Sequence, residues 1–185
     1  NGYAERDPSA DVEGHDACRK ICILAAIAFG RHIYPEQVPT QGITGVTLAD
    51  VDYAASKDYK IKLLGRCLRQ EEGRVCAFVA PHLVPGENPL SSVEDVFNAI
   101  SVTGKLPTAS AVVADVIDIA KDLKKDRHNG WEEAGPELLV SDSRLVSPWY
   151  VRVRAGAEQV RAGWSEVCLL ARAGALEGET AFITA

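Results

Sequence analysis

The longest helical pattern in the chain begins after Gly14. Apolar side chains recur there at the spacings of a single helix face, and Gly30 is placed to end the helix. The pattern therefore predicts a helix over residues 14–30 that packs one face on a core. The residues expected on that face are Ala17, Ile21, Leu24, Ala25 and Ala28.

Two further patterns predict a second helix and a β-hairpin. Thr47-Leu48-Ala49-Asp50 has the residue types of a capping box, which predicts a helix that runs to about Lys57. Residues 60–69 and 74–80 are two apolar runs separated by a tight turn at Glu71-Glu72-Gly73, and they predict two antiparallel strands. The residues expected to face inward on the helix are Leu48, Val51, Ala54 and Ala55.

Prolines and capping residues predict the elements after the hairpin. Residues 81–89 are interpreted as a loop containing His82, for which the nearby sequence supplies no orienting carboxylate. A second capping box, Ser92-Val93-Glu94-Asp95, predicts a helix, and residues 101–103 predict a short strand. The side chains expected to be buried on that helix are Val96, Phe97, Ala99 and Ile100.

The second half of the chain divides into three parts. Residues 107–123 keep a helical period with a wide apolar stripe, which predicts a helix with one side exposed or packed on a partner. Residues 126–147 are polar and contain turn-forming dipeptides, which predicts a linker. After the linker, residues 149–154 predict a strand, residues 159–173 an amphipathic helix and residues 180–184 another strand.

Composition excludes several classes of function. The formal net charge of −6 disfavours nucleic acid, because the only basic run, residues 121–127, is interrupted by aspartates. The longest apolar run, residues 21–29, is too short to cross a membrane. Five cysteines lack zinc-site spacing and suit a reducing cytosol, so we expect no metal site and a cytoplasmic location. The absence of any methionine predicts that the chain is part of a longer protein.

Ionisable residues are concentrated before and at the start of the first helix. Asp16 and Lys20 are four residues apart, so both side chains leave the helix on one face. A carboxylate beside an ammonium group holds the cation in place and can exchange a proton with it. The alternative is an ordinary surface pair worth about 0.3–0.5 kcal/mol. Glu5 and Asp11 lie in the segment leading into the same helix, which favours a functional site.

The same stretch resembles the substrate-binding signature of the homoserine dehydrogenase family. The pattern is Gly-Tyr-x-Glu-x-Asp-Pro-x-x-Asp-x-x-Gly-x-Asp-x-x-Arg-Lys, which occupies residues 2–20. Its length and fixed gaps make it a specific signature. Further segments that resemble the family follow in order as far as residue 115: 42–47, 61–65, 81–85, 88–90, Phe97-Asn98-Ala99 and 106–115.

The resemblance implies an enzyme domain. It would be the substrate-binding and catalytic part of a dehydrogenase that interconverts L-homoserine and L-aspartate 4-semialdehyde in threonine and methionine biosynthesis. In this family NAD or NADP is bound mainly by a Rossmann-type domain before the signature, and this chain contains no Gly-x-Gly-x-x-Gly. The choice between NAD and NADP therefore stays open, and we expect the chain alone to bind little cofactor and to be inactive.

The resemblance also implies a fold, domain boundaries and a homodimer. The expected class is α/β (α+β), with a mixed open sheet covered by helices on one face, and two such sheets facing each other across the dimer. Residues 1–125 would form the catalytic domain, including a return helix over residues 107–123. Residues 126–147 would be a linker, and residues 148–185 a truncated segment resembling an ACT regulatory module. Gly104 is followed directly by Lys105 where the family continues into a strand and a glycine-rich loop, so a deletion and an omitted segment both stay open.

The family's site residues fall on matching positions of this chain. By resemblance, Lys20 would be the proton donor when the semialdehyde is reduced and the proton acceptor in the reverse direction. Asp16 would bind the substrate oxygen and orient Lys20. The substrate-binding residues implied are Glu5, which matches the residue that binds homoserine, Asp11 as a second acidic contact, and Gly2 and Tyr3, which would shape the pocket.

Two other classes of function stay open on sequence grounds. The first is a dimerisation module without chemistry, in which Glu5 and Lys20 face bulk solvent and can be replaced freely. The second is a regulatory module that binds threonine or a related amino acid through residues 149–184. Binding by that module would survive Lys20→Ala and would be lost when the C-terminal segment is disrupted.

Overall fold

A computed structural model describes residues 8–94, 98–103, 132–133, 135 and 137–185. Within these ranges no helix is both long enough and apolar enough to cross a bilayer. The helices are α1 (Ser9–Val12), α2 (His15–Phe29), α3 (Leu48–Ala55) and α4 (Ala157–Gly163). The strands are β1 (Arg31–His32), β2 (Tyr59–Arg69), β3 (Val75–Pro85), β4 (Glu132–Glu133), β5 (Tyr150–Arg154), β6 (Val167–Leu170) and β7 (Glu179–Thr184).

The predicted class, mixed α/β, is confirmed, and the described strands form three small sheets. β1 pairs with β4 in parallel, and β2 pairs with β3 as the predicted antiparallel hairpin. β5, β7 and β6 form an antiparallel sheet in that order. The predicted return helix, residues 107–123, lies outside the described residues, as does the junction between Gly104 and Lys105. The domain boundaries stay a prediction.

Helix α2 has the limits that the sequence predicts. Gly14 precedes it with φ 84° and Gly30 ends it with φ 67°, both in the left-handed region that glycine adopts without strain. One member of the predicted inward face, Ala28, is exposed. The core contact instead includes residues that the apolar pattern did not select, namely Cys18, Cys22 and Ala26.

The main core forms where α2 crosses the β2–β3 hairpin. Gly65 on β2 lies directly beneath the helix, because a Cβ atom at this position would come within 2.9 Å of the Cβ of Ile21. The absence of a side chain therefore lets the helix and the strand approach closely. The buried residues of this core are Cys18, Ile21, Cys22, Ala25, Ile33, Val38, Val75, Ala77 and Val79.

Strand β3 is longer than predicted, because residues 81–85 continue the strand and do not form a loop. Backbone N–H groups of Val75 and Val79 donate to the Leu138 and Pro39 carbonyls, on the edge away from β2. Pro81 and Pro85 are an even number of positions away from these two residues along the strand. Their nitrogens therefore lie on the same edge, away from β2. A proline in such a position removes no hydrogen bond from the hairpin.

The outer edge of β3 is covered by two segments. Thr40 forms a parallel bridge with Val79, and Leu139 forms one with Val75. Leu138 and Leu139 also pack against the main core. Part of the segment predicted as a linker is therefore attached to the hairpin.

The predicted helix after Ser92 is wrong for the residues that the structure describes. The Ser92 hydroxyl donates to the Pro89 carbonyl at 2.8 Å within a 3₁₀ turn, Pro89–Ser92, and does not cap a following helix. Residues 93–94 and 98–103 have no regular structure, so the strand predicted at residues 101–103 is also absent. Ala99 and Ile100 are exposed, whereas Val96 and Phe97 lie outside the described residues.

Helix α3 buries only one of its four predicted inward residues, Ala54. The predicted capping box is confirmed, since Thr47 N–H donates to Asp50 Oδ2 at 2.8 Å. However, Leu48 is 83% exposed and Val51 is 46% exposed, and Ala55 is also exposed. The buried residues are Asp50, Tyr53 and Ala54. In the contact with the C-terminal sheet, Tyr53 packs in an apolar cluster with Leu170 and Ala181, and beside this cluster Asp50 enters a polar contact that an apolar pattern cannot select.

That polar contact is a network of carboxylates, arginines and tyrosines. Asp50 is 6% exposed, accepts a 2.6 Å hydrogen bond from the Tyr150 hydroxyl, and lies 3.0 Å from Arg152 Nε. Glu179 on β7 accepts a 2.9 Å hydrogen bond from the Tyr53 hydroxyl and pairs with Arg152 at 3.5 Å. Hydrogen bonds and opposite charges therefore satisfy both carboxylates, which is the condition for burying them.

The C-terminal segment departs from the predicted order of elements. Strands near residues 150–154 and 180–184 are confirmed by β5 and β7. The helix predicted over residues 159–173 ends at Gly163, and β6 follows at Val167–Leu170. The apolar run of β6 pairs with β7, and this tertiary pairing outweighs local helix propensity. The ACT-like character of the segment is not confirmed.

We predict that Gly65→Ala destabilises the fold by about 1–3 kcal/mol, because the new methyl group would force α2 away from β2. Urea unfolding of the purified variant measures the change. Gly163→Ala is the control, since a Cβ atom there meets nothing within 4 Å. A Gly65→Ala variant as stable as the wild type would contradict the close approach of helix and strand.

We predict that Asp50→Asn lowers stability by about 2 kcal/mol near neutral pH. Burial alone would raise the pKa of Asp50, but hydrogen bonds from Thr47 and Tyr150 and the charge of Arg152 together bring this pKa below its ordinary value. A depressed pKa means that the ionised carboxylate stabilises the fold above pH ~4 and that this contribution is lost as the pH falls through the folded-state pKa.

The free energy of unfolding of the wild type should therefore fall more steeply on acidification below pH ~4 than that of Asp50→Asn. Asp52→Asn is the matched control, because its carboxylate is 61% exposed on the same helix. Equal acid dependence in the wild type and Asp50→Asn would rule out this role for Asp50.

Candidate functional site

The candidate site lies on the first turns of α2, where the sequence predicted it. Lys20 Nζ is 2.6 Å from Asp16 Oδ2, one helical turn away. The two side chains are 50% and 42% exposed, respectively. A pair this exposed contributes little to the stability of the fold, roughly 0.5 kcal/mol. Its two groups are therefore accessible to a molecule that binds beside α2.

The start of α2 is held in place by the segments around it. Gly14 is buried, and a Cβ atom there would lie 3.2 Å from Thr40 Cγ2 and 3.3 Å from Val79 Cγ1. The Val12 carbonyl, just before this glycine, accepts a 2.7 Å hydrogen bond from Ile43 N–H. These contacts fix the corner between α1 and α2, and with it the direction in which Asp16 and Lys20 leave the helix.

A second residue approaches Lys20 from a distant part of the chain. Lys20 Nζ donates to Asn98 Oδ1 at 3.3 Å, across a separation of 78 residues. The site residues selected from the sequence did not include Asn98. The available signal was its place in Phe97-Asn98-Ala99, one of the segments that resemble the homoserine dehydrogenase family.

The structure brings together only part of the predicted substrate-binding set. Asp11 lies on α1, and its side chain is exposed. Among the described residues, no hydrogen bond or ion pair joins the Asp11 carboxylate to Asp16 or Lys20. Gly2, Tyr3 and Glu5 lie outside the described residues, so their predicted roles stay predictions.

Other reactive side chains of the described region do not form a site. His82 lies in β3, where its Nδ1 is 2.7 Å from the Ala80 carbonyl, and burial lowers its pKa. Burial also raises the pKa of Cys22 and of Cys67 to about 12, which keeps both thiols protonated and unreactive. Within the described ranges, no three His, Cys, Asp or Glu residues are arranged to hold a metal ion.

The chain lacks the sequence fingerprint of a dinucleotide-binding turn. Such a site needs a glycine-rich turn whose N–H groups face the pyrophosphate at a helix N-terminus. The sequence has no Gly-x-Gly-x-x-Gly, and the turn before α2 is filled by contacts of Gly14 with Thr40 and Val79. The described residues of the candidate site provide the Lys20 ammonium group, which contacts the Asp16 carboxylate and the Asn98 amide.

Comparisons with known proteins show which family this chain resembles. The family model described as homoserine dehydrogenase matches residues 1–117. The homoserine dehydrogenase of Pseudomonas aeruginosa is 41% identical over 176 residues, which cover 83% of this chain and 40% of that protein. The homoserine dehydrogenase of Mycobacterium tuberculosis H37Rv is 44% identical over 167 residues, which cover 80% of this chain and 38% of that protein.

The fold is also similar to those of solved homoserine dehydrogenase structures. The homoserine dehydrogenase of Thiobacillus denitrificans superposes with a TM-score of 0.67 and 29% identity, over 98% of this chain and 48% of that one. The S. aureus homoserine dehydrogenase at pH 7.0 gives a TM-score of 0.64 and 28% identity, over 98% of this chain and 50% of that one. This chain thus spans about half the length of these proteins or less. On the match to the family model and to these relatives, the chain belongs to the homoserine dehydrogenase family.

Proposed function

We propose that the full-length protein is an NAD(P)-dependent homoserine dehydrogenase, which interconverts L-homoserine and L-aspartate 4-semialdehyde in threonine and methionine biosynthesis. The observation that carries the proposal is the 2.6 Å pair of Lys20 and Asp16 on α2. The pair lies within residues 1–117, the segment matched by the family model. By resemblance to the family, Lys20 and Asp16 match its catalytic positions.

Lys20 supplies the proton in the proposed reaction. Reduction of the semialdehyde adds a hydride to the carbonyl carbon and a proton to the carbonyl oxygen, which becomes the hydroxyl of homoserine. A positioned acid must lie within hydrogen-bond reach of that oxygen. The half-exposed ammonium group of Lys20 can meet this requirement, and in the reverse direction the neutral amine accepts the proton.

Carboxylates hold the substrate and the lysine. Asp16 fixes the direction of the Lys20 side chain and accepts a hydrogen bond from the substrate hydroxyl. Homoserine also carries an ammonium group, which a carboxylate binds by charge-assisted hydrogen bonds. By family resemblance, Glu5 receives this group, Asp11 adds a second acidic contact, and Gly2 and Tyr3 shape the pocket.

The cofactor would be bound outside the described residues. A reduced nicotinamide supplies the hydride when it is bound. The residues of this chain contribute the proton and the substrate contacts. These roles are the same with NAD and with NADP, so the proposal holds for either cofactor.

We predict that Lys20→Ala in the full-length protein lowers kcat for homoserine oxidation by a factor of about 10² to 10⁴, the usual contribution of a positioned acid or base. Formation of NADH or NADPH from L-homoserine measures the rate. Lys57→Ala is the control, because Lys57 is an exposed lysine just after α3. Its kcat should equal that of the wild type.

Two results would argue against the proposal. A full-length wild-type protein that oxidises no homoserine with either cofactor would contradict the proposed activity. An active protein whose rate is unchanged by Lys20→Ala would retain the activity but remove Lys20 from its mechanism.

The open face of the hairpin supports the proposed homodimer. Leu64, Phe78 and Ala80 form a half-buried apolar surface on the side of the hairpin away from α2. The Arg66 guanidinium lies over the Phe78 ring at 5.8 Å from its centroid. A sheet with one face against a helix and an apolar opposite face needs a partner for that second face. The equivalent face of a second copy suits a two-fold dimer.

We predict that Leu64→Asp converts the proposed dimer to a monomer, because the substitution would bury an unpaired carboxylate of each subunit in the apolar interface. Sedimentation velocity of the full-length protein at micromolar concentration measures the change. Leu48→Asp is the matched control, since Leu48 is exposed on α3. A wild-type monomer, or a dimer that survives Leu64→Asp, would exclude this face as the interface.

The proposal also places the protein in the cytoplasm. All five cysteines are unpaired thiols, which supports a reducing compartment. We keep the boundaries of the catalytic domain at residues 1–125, the linker at 126–147 and the C-terminal segment at 148–185 as part of the proposal.

A further inference from the structure

We infer that Asn98 is a positioning residue for Lys20, an inference that rests on the proposed function. Its side-chain amide would hold the ammonium group in the direction needed for proton transfer. The residue acts through Lys20 and not on the substrate.

The geometry around Lys20 is the first argument. An ammonium group has three N–H donors and accepts no hydrogen bond. One donor faces Asp16 Oδ2 at 2.6 Å and another faces Asn98 Oδ1 at 3.3 Å. Asp16 lies on α2, whereas Asn98 lies in a distant part of the chain. Together these two acceptors restrict the Lys20 side chain more than Asp16 would alone. The third donor is left for a substrate oxygen.

The second argument is that residues 93 and 94, a few positions before Asn98, contact the hairpin. Lys62 Nζ on β2 donates to the Val93 carbonyl at 2.6 Å. Lys60 Nζ, two residues earlier on the same strand, pairs with Glu94 at 3.0 Å. The same β2 strand packs against α2 at Gly65. One strand therefore contacts both the helix that carries Lys20 and residues 93–94, a few positions before Asn98.

The chemistry of the amide is the third argument. The Asn98 oxygen is an acceptor without a charge, and the ammonium group, a donor only, fixes which end of the amide faces it. A second carboxylate at this position would favour the ammonium form over the neutral amine. That preference would oppose the role of Lys20 as a proton acceptor in homoserine oxidation. An asparagine orients the lysine without this cost.

The test compares Asn98→Ala and Asn98→Asp in the full-length protein, with L-homoserine and NAD+ or NADP+ as substrates. Asn98→Ala should lower kcat about 10- to 100-fold, the scale of a misplaced catalytic group, with KM for homoserine within about twofold of the wild type. Asn98→Asp restores an acceptor and should recover most of kcat at high pH. Its profile of log kcat against pH should be displaced to higher pH, because Asp16 and the new carboxylate both favour the charged lysine.

The control is Ser101→Ala, an exposed residue three positions along the same segment, which should leave kcat and the pH profile unchanged. The thermal midpoint of each variant reports on folding, and it should not move because Asn98 is a surface contact. A purely structural role for the segment predicts equal losses in Asn98→Ala and Asn98→Asp with an unchanged pH profile, and this result would overturn the inference.

The outcomes separate the inference from the function on which it rests. An Asn98→Ala variant with wild-type kcat overturns the inference alone, provided that Lys20→Ala is inactive. A wild-type protein that does not oxidise homoserine overturns both.

Discussion

The close contact between α2 and β2 is the interaction on which the rest of the described structure depends. It is possible only because Gly65 has no side chain where Ile21 crosses the strand. The contact closes the main core and fixes the slope of the helix over the hairpin. Lys20 directly precedes Ile21 in α2. The same contact therefore fixes the position of the Lys20 ammonium group relative to the sheet.

The two faces of the hairpin have different surroundings. Residues of odd number on β3, such as Val75 and Val79, pack under α2 in the main core. Residues of even number, such as Phe78 and Ala80, face the other way, where the proposed partner would lie. One short sheet thus separates the candidate site from the face of the proposed interface, so a change in the packing of either face reaches the other through a single layer of backbone.

Much of the main core could be predicted from the sequence, because α2 and the hairpin depend on local patterns of apolar residues. The predicted loop at residues 81–85 was wrong, since the cost of a proline depends on which strand edge its nitrogen faces. The apolar pattern also misplaced three of the four residues predicted to be buried on α3, since Ala54 alone of them is buried. Asp50 is buried there because Tyr150 and Arg152, a hundred residues away, satisfy its carboxylate.

The same difference between local patterns and long-range contacts applies to the candidate site. The pairing of Asp16 with Lys20 could be predicted because it is set by the helical repeat alone. The contact between Lys20 and Asn98 could not, because it joins residues 78 positions apart and no local pattern indicates it. A local capping pattern even favoured a helix near Ser92, whereas two lysines of β2 hold residues 93–94 in an extended path.

The polar seam between α3 and the C-terminal sheet has a consequence for exchanging parts between relatives. Asp50 and Glu179 are carboxylates that are nearly enclosed and satisfied from opposite sides of this seam. A chimera that keeps its own α3 but receives a C-terminal sheet without counterparts of Tyr150, Arg152 and Glu179 would trap a carboxylate without its partners. The unit that can be transplanted as a whole is therefore discontinuous in sequence: the last strands together with residues 47–56.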